Sequence, residues 1–511
     1  MLVPHVRVLV GYIVQKYDVH VRWRISCQVI VLVHDGTYTG DRDLNTKQIN
    51  IVIYCLILLS NNKMVMLFKA GVLLGLAGLI NAIDPVTVRG NAFFVGDERF
   101  YIRGLDYQPG GSSKLTDPLA SNDICERDIE YFKKLGINTV RVYSIDNTAN
   151  HDECMQKLAD AGIYLIADVN IPYASIARDD GAACSYNSLY LEQVFATVLA
   201  LSKYDNTLGF FAANEVINDV PSTAAAPYVK AVVRDIKTFL KNRDLRAIPV
   251  GYSAADIEEN RLQSADYFNC GDDETARVDM FGFNDYSWCG KASFTTSGYD
   301  KQVDEFSNYS LPLFFSEFGC NTVRPRPFTE IETIYSTKMS SVFSGGLVYE
   351  YSEEENNYGL VEISGSSVKT NDDFTNLQSE FKKTENPSGD GGYHNSSYSE
   401  CPPLSDTWNA STTIPDTPKG ALVWLKNNAD PKGAGFDGNT QWACTDGNNN
   451  VDSSNSTTQT KSADSSTSAT SNPSSSASSS SKKSNGMRLA ESSSWINGAG
   501  LISFVAGMAL L

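Results

Sequence analysis

Positive charge is what this chain is short of. Lysine and arginine together number 42 against 60 aspartates and glutamates, a formal net charge of -18. That balance excludes nucleic acid, whose phosphates demand a basic surface. It fits a neutral partner such as a polysaccharide, and it fits the plain solubility of an exported protein equally well. The 10 cysteines contain no close C-x-x-C pair, so neither a zinc site nor any other metal or cofactor is expected. Long apolar runs are missing as well. The run at 49–60 is too short to span a bilayer comfortably.

What remains is a chain of 511 residues, enough for one large domain with appendages. Residues 1–63 do not resemble the rest and are expected to come from an over-extended gene boundary. The other reading is a genuine extension whose apolar runs anchor it to a membrane. A secretory leader is expected at 64–82: it opens at Met64 or Met66, Lys69 gives it a positive start, 70–80 an apolar centre and Ala82 a small residue for cleavage. Near the other end, 451–485 is dominated by Ser and Thr and reads as a disordered, O-glycosylated stalk. Residues 486–511 combine a polar spacer with an uncharged apolar end. Small residues surround Asn485, which is the expected attachment site of a GPI anchor. An ordinary C-terminal membrane helix is the alternative, although Asn497 and Gly498 interrupt the run. Sequons at Asn308, Asn395, Asn409 and Asn455 fit export.

Between these ends, short apolar runs alternate with amphipathic stretches. Strands are predicted at 100–105, 139–145, 164–168, 208–215, 248–252, 278–284, 311–317 and 346–351. Helices are predicted at 123–135, 151–161, 189–202 and 228–241, the first two closed by glycines. Eight buried-looking strands with helical or mixed connections point to an α/β fold, a (β/α)8 TIM barrel over 83–383. Residues 384–450 are rich in Gly, Pro, Asn and Ser. They read as an irregular C-terminal segment packed on the barrel, with a carbohydrate-binding module as the sharper alternative.

Two of these strands carry chemistry. The run LGFFAANE at 208–215 ends in Asn214 and Glu215, and LPLFFSE at 311–317 ends in Glu317. Parallel strands in a barrel deliver both glutamates to one rim, where barrel enzymes keep their active sites. Two carboxyls across one pocket are what cleavage of a glycosidic bond requires. On strands four and seven, Glu215 is the expected proton donor and base and Glu317 the expected nucleophile of a retaining reaction. The bland alternative is two surface glutamates at strand ends.

The motifs RGLDYQPGG (103–111), NTVRVYSID (138–146), FAANE (211–215), FGFNDYSWCG (281–290), FFSEFGC (314–320) and GGLVYEY (345–351) together span the predicted barrel. In these segments the chain resembles the fungal GPI-anchored β-1,3-glucanosyltransferases of glycoside hydrolase family 72. The resemblance implies that Glu215 is the acid/base and Glu317 the nucleophile. It also implies that Gln108, Tyr143, Asp168, Asn214, Asp256, Arg261, Tyr286 and Tyr349 line a glucan cleft. Read without it, Asp256 and Arg261 are equally an ion pair at a helix start, and Tyr143 and Tyr349 are equally barrel core. The family's disulfide spacing implies Cys125–Cys154, Cys289–Cys320 and Cys270–Cys401, which leaves the pairing of Cys184 and Cys444 open, one with the other being one option. The implied activity is transfer between a β-1,3-glucan donor chain and an acceptor chain. The implied setting is a monomer anchored by GPI on the outer face of the plasma membrane or in the cell wall. A hydrolase on the same barrel and a catalytically silent glucan-binding wall protein are the rivals. Departures are a longer loop between Tyr143 and Glu215, an Asn170-Ile171-Pro172 turn where a Ser-containing one is usual, and no sign of the cysteine-rich glucan-binding module of some members.

N-terminal sequencing of the exported protein is expected to begin at or near Ile83 rather than at Met1.

Overall fold

All eight predicted strands form, and they close on one another. They are β1 (Ile102–Asp106), β2 (Thr139–Val142), β3 (Tyr164–Asp168), β4 (Thr207–Asn214), β5 (Val250–Ala255), β6 (Met280–Cys289), β7 (Leu313–Cys320) and β8 (Phe343–Val348). Every neighbouring pair is parallel, β8 returning to β1. The computed structural model describes residues 83–441, apart from 112–113 and 179–180. It also describes the backbone of four antiparallel strands upstream, Val6–Gly11, Trp23–His34, Gln48–Leu59 and Leu67–Ala70. The rest of the expected leader, Cys444, Asn455, the stalk and the Asn485 anchor site lie outside the described residues.

Side chains alternate across a strand, so every second residue of a barrel strand points inward. The lower interior is apolar: Ile102, Tyr164, Ile166, Leu208, Phe211, Met280, Phe314 and Leu347 form one buried cluster. Two or four residues farther along the same strand faces the interior turns polar, with Asp106, Asp168 and Asn284 all buried. Gly282 makes the transition possible. A Cβ there would meet the Ser316 side chain at 2.6 Å. Gly345 lets β8 approach β1, since a Cβ there would lie 2.1 Å from the Ile102 carbonyl oxygen. These glycines interrupt the apolar run, so the sequence places the eighth strand three residues too late.

Helices α1 (Asn122–Leu135), α2 (Asp152–Asp160), α3 (Ser188–Ser202) and α4 (Ala226–Asn242) cover the outside. Helices α5 (Arg261–Phe268), α6 (Tyr299–Glu305), α7 (Glu330–Ile334) and α8 (Asp372–Lys383) complete the ring. The predicted glycine stop holds for α1: Gly136 adopts φ +72°, and its N–H donates to the Phe132 carbonyl at 3.0 Å. A second buried cluster fills the space between strands and helices, with Phe195 of α3 stacked on Phe239 of α4 at 4.6 Å.

One feature was not legible in advance. A three-stranded antiparallel sheet (Val86–Arg89, Ala92–Val95, Glu98–Phe100) caps the apolar end of the barrel. Its fully buried Phe93 meets Phe314 edge-on at 5.8 Å. The packing of 384–441 on the barrel, by contrast, matches the expectation, and the Cys270–Cys401 bond is formed as the resemblance implied. Trp408 is fully buried 5.4 Å from Tyr267. Arg234 donates to the Pro415 carbonyl at 2.7 Å and Gln193 to that of Gly435 at 2.8 Å. Disulfides Cys125–Cys154 and Cys289–Cys320 are formed, and Cys184 is also disulfide-bonded.

Phe93→Ala leaves a cavity between cap and barrel. It is expected to lower the unfolding free energy by about 3–5 kcal/mol while sparing the chemistry at the opposite rim. Denaturant unfolding of the purified variant checks this.

Candidate active site

Arg141 sits in β2, a strand whose four residues are all buried. A guanidinium cannot be buried without partners, and this one has a full set. Its Nε and Nη2 donate to the two carboxylate oxygens of Asp168 at 3.1 and 2.9 Å. Nη2 also reaches Asn214 Oδ1 at 3.0 Å, while Nη1 donates to the Ser316 carbonyl and to Glu317 Oε1, both at 3.2 Å. The guanidinium lies over the Tyr143 and Phe211 rings at 4.2 and 4.8 Å. One side chain therefore locates residues from β3, β4 and β7.

Glu317 lies within β7 and is 8% exposed. Besides Arg141, it accepts from the Tyr143 hydroxyl at 2.8 Å and from the Tyr286 hydroxyl at 2.7 Å. Burial pushes its carboxyl up to about 7, with the charge of Glu215 adding to the rise, while Arg141 and both tyrosine hydroxyls pull it down. The Cys289–Cys320 disulfide joins β6 to β7 just beyond the site, at positions paired in the sheet.

Glu215 follows β4 directly and takes φ +47°, a left-handed conformation rare outside glycine. The predicted strand thus ends one residue early, and the turn re-aims the carboxyl. Asn284 of β6 holds it there, donating from Nδ2 to Glu215 Oε1 at 2.9 Å and to Asn214 Oδ1 at 3.2 Å. Asn284 Oδ1 in turn accepts from Ser253 and Ser316 at 3.1 and 2.8 Å. Asn214 Oδ1 also accepts from the Ser253 hydroxyl at 2.7 Å. The arginine donor fixes which way this amide points. Asn214 Nδ2 consequently has no hydrogen-bond acceptor among the described residues.

The residues named from sequence thus divide. Glu215, Glu317, Asn214, Tyr143, Tyr286 and Asp168 meet in one network, Asp168 as the ion-pair partner of Arg141. Tyr349 joins it by its ring, which lies 6.3 Å from that of Tyr286. Gln108 is half-buried, with its backbone carbonyl bonded to the Ser352 hydroxyl at 3.0 Å. Asp256 and Arg261 pair with each other where α5 begins, and Arg261 reaches Glu305 at 3.4 Å. Burial, aided by Asp285, pushes Asp256 up to about 7. Among the described residues no hydrogen bond links Gln108, Asp256 or Arg261 to the Glu215–Glu317 network.

Sequence reasoning missed Arg141, Asn284, Ser253, Ser316 and Tyr358. Arg141 and Asn284 had a usable signal, since each stands two residues before a named tyrosine and so shares its strand face. Tyr358 had none. It comes from a loop to place its ring 5.5 Å from Tyr286 and 5.3 Å from Tyr349.

Known proteins resemble this chain. The sequence model of a family described as Glucanosyltransferase matches residues 76–385. The 1,3-beta-glucanosyltransferase PGA4 of Candida albicans is 64% identical over 397 residues, covering 77% of this chain and 88% of that protein. The 1,3-beta-glucanosyltransferase GAS5 of Saccharomyces cerevisiae is 57% identical over 371 residues, covering 71% and 76%. Among solved structures, Saccharomyces cerevisiae Gas2p in complex with laminaritriose and laminaritetraose superposes with a TM-score of 0.61 at 41% identity. It covers 66% of this chain and 78% of that one.

Tyr286→Phe removes a donor that favours the ionised form of Glu317, so the carboxyl's pKa is expected to rise further. The acid limb of kcat/KM then moves to higher pH, with a loss of about tenfold or more at acidic pH. A pH–rate profile of the variant checks both.

Proposed function

The chain belongs to the glucanosyltransferase family, glycoside hydrolase family 72, and from that premise we propose that it is a retaining β-1,3-glucanosyltransferase. The observation that carries the reading is the pair of glutamates. Glu317 is held by three donors for attack, and Glu215 is aimed from the neighbouring turn by Asn284.

In the first half-reaction a Glu317 carboxylate oxygen bonds to the anomeric carbon of an internal glucose. The glycosidic C–O bond breaks, and Glu215 gives its proton to the departing oxygen. The new reducing end is then an ester of Glu317. In the second half-reaction Glu215 takes the proton from a hydroxyl at the non-reducing end of an acceptor glucan. That oxygen bonds to the anomeric carbon, and the ester breaks to restore Glu317. Two inversions retain the β configuration. Asn214 Nδ2 offers a donor to the sugar hydroxyl beside the reacting carbon. Tyr286, Tyr349 and Tyr358 present rings on which glucose units stack. Gln108, Asp256 and Arg261 take subsites farther along the cleft. Neither half-reaction, as written, calls for a metal or cofactor.

The setting proposed is the cell surface or wall, with a leader at 64–82, a stalk over 451–485 and a GPI anchor at Asn485. Support comes from the sequence pattern at both ends and from exposed Asn308, Asn395 and Asn409, as glycan acceptors must be. No helix among the described residues is long and apolar enough to cross a membrane. The enzyme is proposed to act as a monomer.

Incubation with a reduced laminari-oligosaccharide is expected to yield products longer than the substrate; exclusively shorter ones would mean that water takes the glycosyl group. Glu317→Gln is expected to lose on the order of 10³-fold or more in rate. A fluorinated glucosyl donor is expected to label the peptide FFSEFGC.

A further inference from the structure

A second buried guanidinium lies outside the network around Glu215 and Glu317. Arg326 belongs to the loop between β7 and α7 and is 1% exposed. Such a group must be matched by acceptors, and these fall into two sets. On one side is Asp373, in the first turn of α8 and itself buried. Arg326 Nε donates to Asp373 Oδ2 at 2.7 Å, and the Arg326 backbone N–H donates to Oδ1 at 2.9 Å. Asn376 of the same helix donates to the Arg326 carbonyl at 2.8 Å. On the other side are three backbone carbonyls. Nη1 donates to those of Gly319 and Tyr349 at 3.1 and 2.6 Å, and Nη2 donates to that of Tyr358 at 2.5 Å.

Those three carbonyls come from three different pieces of the cleft. Gly319 is in β7, two residues beyond Glu317. Its approach to the arginine is close: Gly319 takes φ +114°, and a Cβ there would lie 3.2 Å from Arg326 Nη1. Tyr349 follows β8 directly, and its N–H donates to the Phe318 carbonyl at 2.9 Å. Tyr358 is half-buried and comes from the loop beyond, whose residues 355–357 are exposed. The Glu350 N–H shares the Tyr358 carbonyl at 3.2 Å, and Asn321 donates to the Asn356 and Asn357 carbonyls at 2.8 and 3.1 Å. Arg326 is the group that joins Gly319, Tyr349 and Tyr358 at one point. The Tyr349 and Tyr358 rings stand 5.3 Å apart, and both meet the ring of Tyr286.

We propose that Arg326, anchored on α8 through Asp373, is a positioning residue for glucan binding: it sets where the Tyr349 and Tyr358 rings stand relative to the strand that carries Glu317. The planar fork suits this task. Its N–H groups point in fixed directions in one plane, so the three carbonyls they hold keep fixed separations. A lysine ammonium is a point charge on a flexible stem and cannot reproduce that pattern. Fixed backbone roots fix the spacing of the rings, and that spacing decides what flat apolar face a glucose unit meets. The proposal rests on the reading of these rings as surfaces on which glucose stacks.

Calorimetric binding of laminaritetraose to the full chain carrying Glu317→Gln, so that no turnover intervenes, tests it. In that background Arg326→Lys is expected to weaken binding about tenfold, as is Tyr358→Ala. The two together are expected to fall well short of the product of their separate losses, because the lysine acts in part through a ring that the alanine has already removed. An arginine that only stabilised the fold would cost the same with that ring or without it. Full additivity, a combined loss of about a hundredfold, therefore overturns the proposal, and so does unchanged affinity in Arg326→Lys. Should that variant not fold, Asp373→Asn leaves the guanidinium and its three carbonyls in place but removes the countercharge that anchors it. Its expected loss is about threefold, and smaller when Tyr358→Ala is also present; an equal loss in both backgrounds overturns the proposal. If Tyr358→Ala by itself leaves binding unchanged, the stacking reading falls and the proposal with it. If Tyr358→Ala weakens binding and Arg326→Lys does not, the proposal alone falls.

Discussion

Burial of one guanidinium is the constraint on which the rest of the site depends. Arg141 has no solvent to fall back on, so each of its N–H groups must find an acceptor in the barrel wall. Asp168 supplies the countercharge with bidentate geometry, Ser316 a carbonyl, Asn214 an amide oxygen and Glu317 its carboxylate. Because these acceptors sit on β3, β4 and β7, satisfying the arginine also fixes Glu317 relative to Asn214, the residue preceding Glu215. Function and satisfaction of buried polar groups are the same requirement here.

That requirement also explains the layering of the interior. The apolar floor built from Phe93, Phe314, Met280 and Leu347 closes one end of the barrel to water. Above it the small residues Gly282, Ser253 and Ser316 give room for a polar layer. The hydroxyls of Ser253 and Ser316 lie 3.0 Å apart and both engage Asn284. Asn284 is thereby held from below while it holds Glu215 from the side. An enlarged residue at 282 would collide with Ser316 and disturb that support before it touched any catalytic group.

The sequence revealed the fold and the two glutamates for one reason: a charged residue that ends an apolar strand stands out against it. Arg141 was passed over even though it shares a strand face with Tyr143, because a charged residue at an alternate position within a short strand resembles an ordinary half-exposed one. Only closure of the barrel turns that face inward. Asn284 was hidden in the same way. The cap around Phe93 was hidden because its strands are three or four residues each, too short for a periodic signal. Asp256 and Arg261 show the converse. Their pairing at the head of α5 was legible from spacing alone, whereas a place beside sugar was implied only by resemblance.

Tyr286 brings two demands together. Its hydroxyl grips Glu317, and its ring packs edge-on against Tyr349 and Tyr358. Those three rings form one wall beside Glu317, an apolar surface of the kind that sugars stack on and that excludes water. A displacement of the wall therefore displaces a hydrogen bond to the reacting carboxylate, and loss of that bond frees the wall. The position of Glu317 and the shape of the cleft beside it are not independently adjustable. A change that widened the cleft to admit water would also loosen the Glu317 carboxylate, which the proposed mechanism needs held in place.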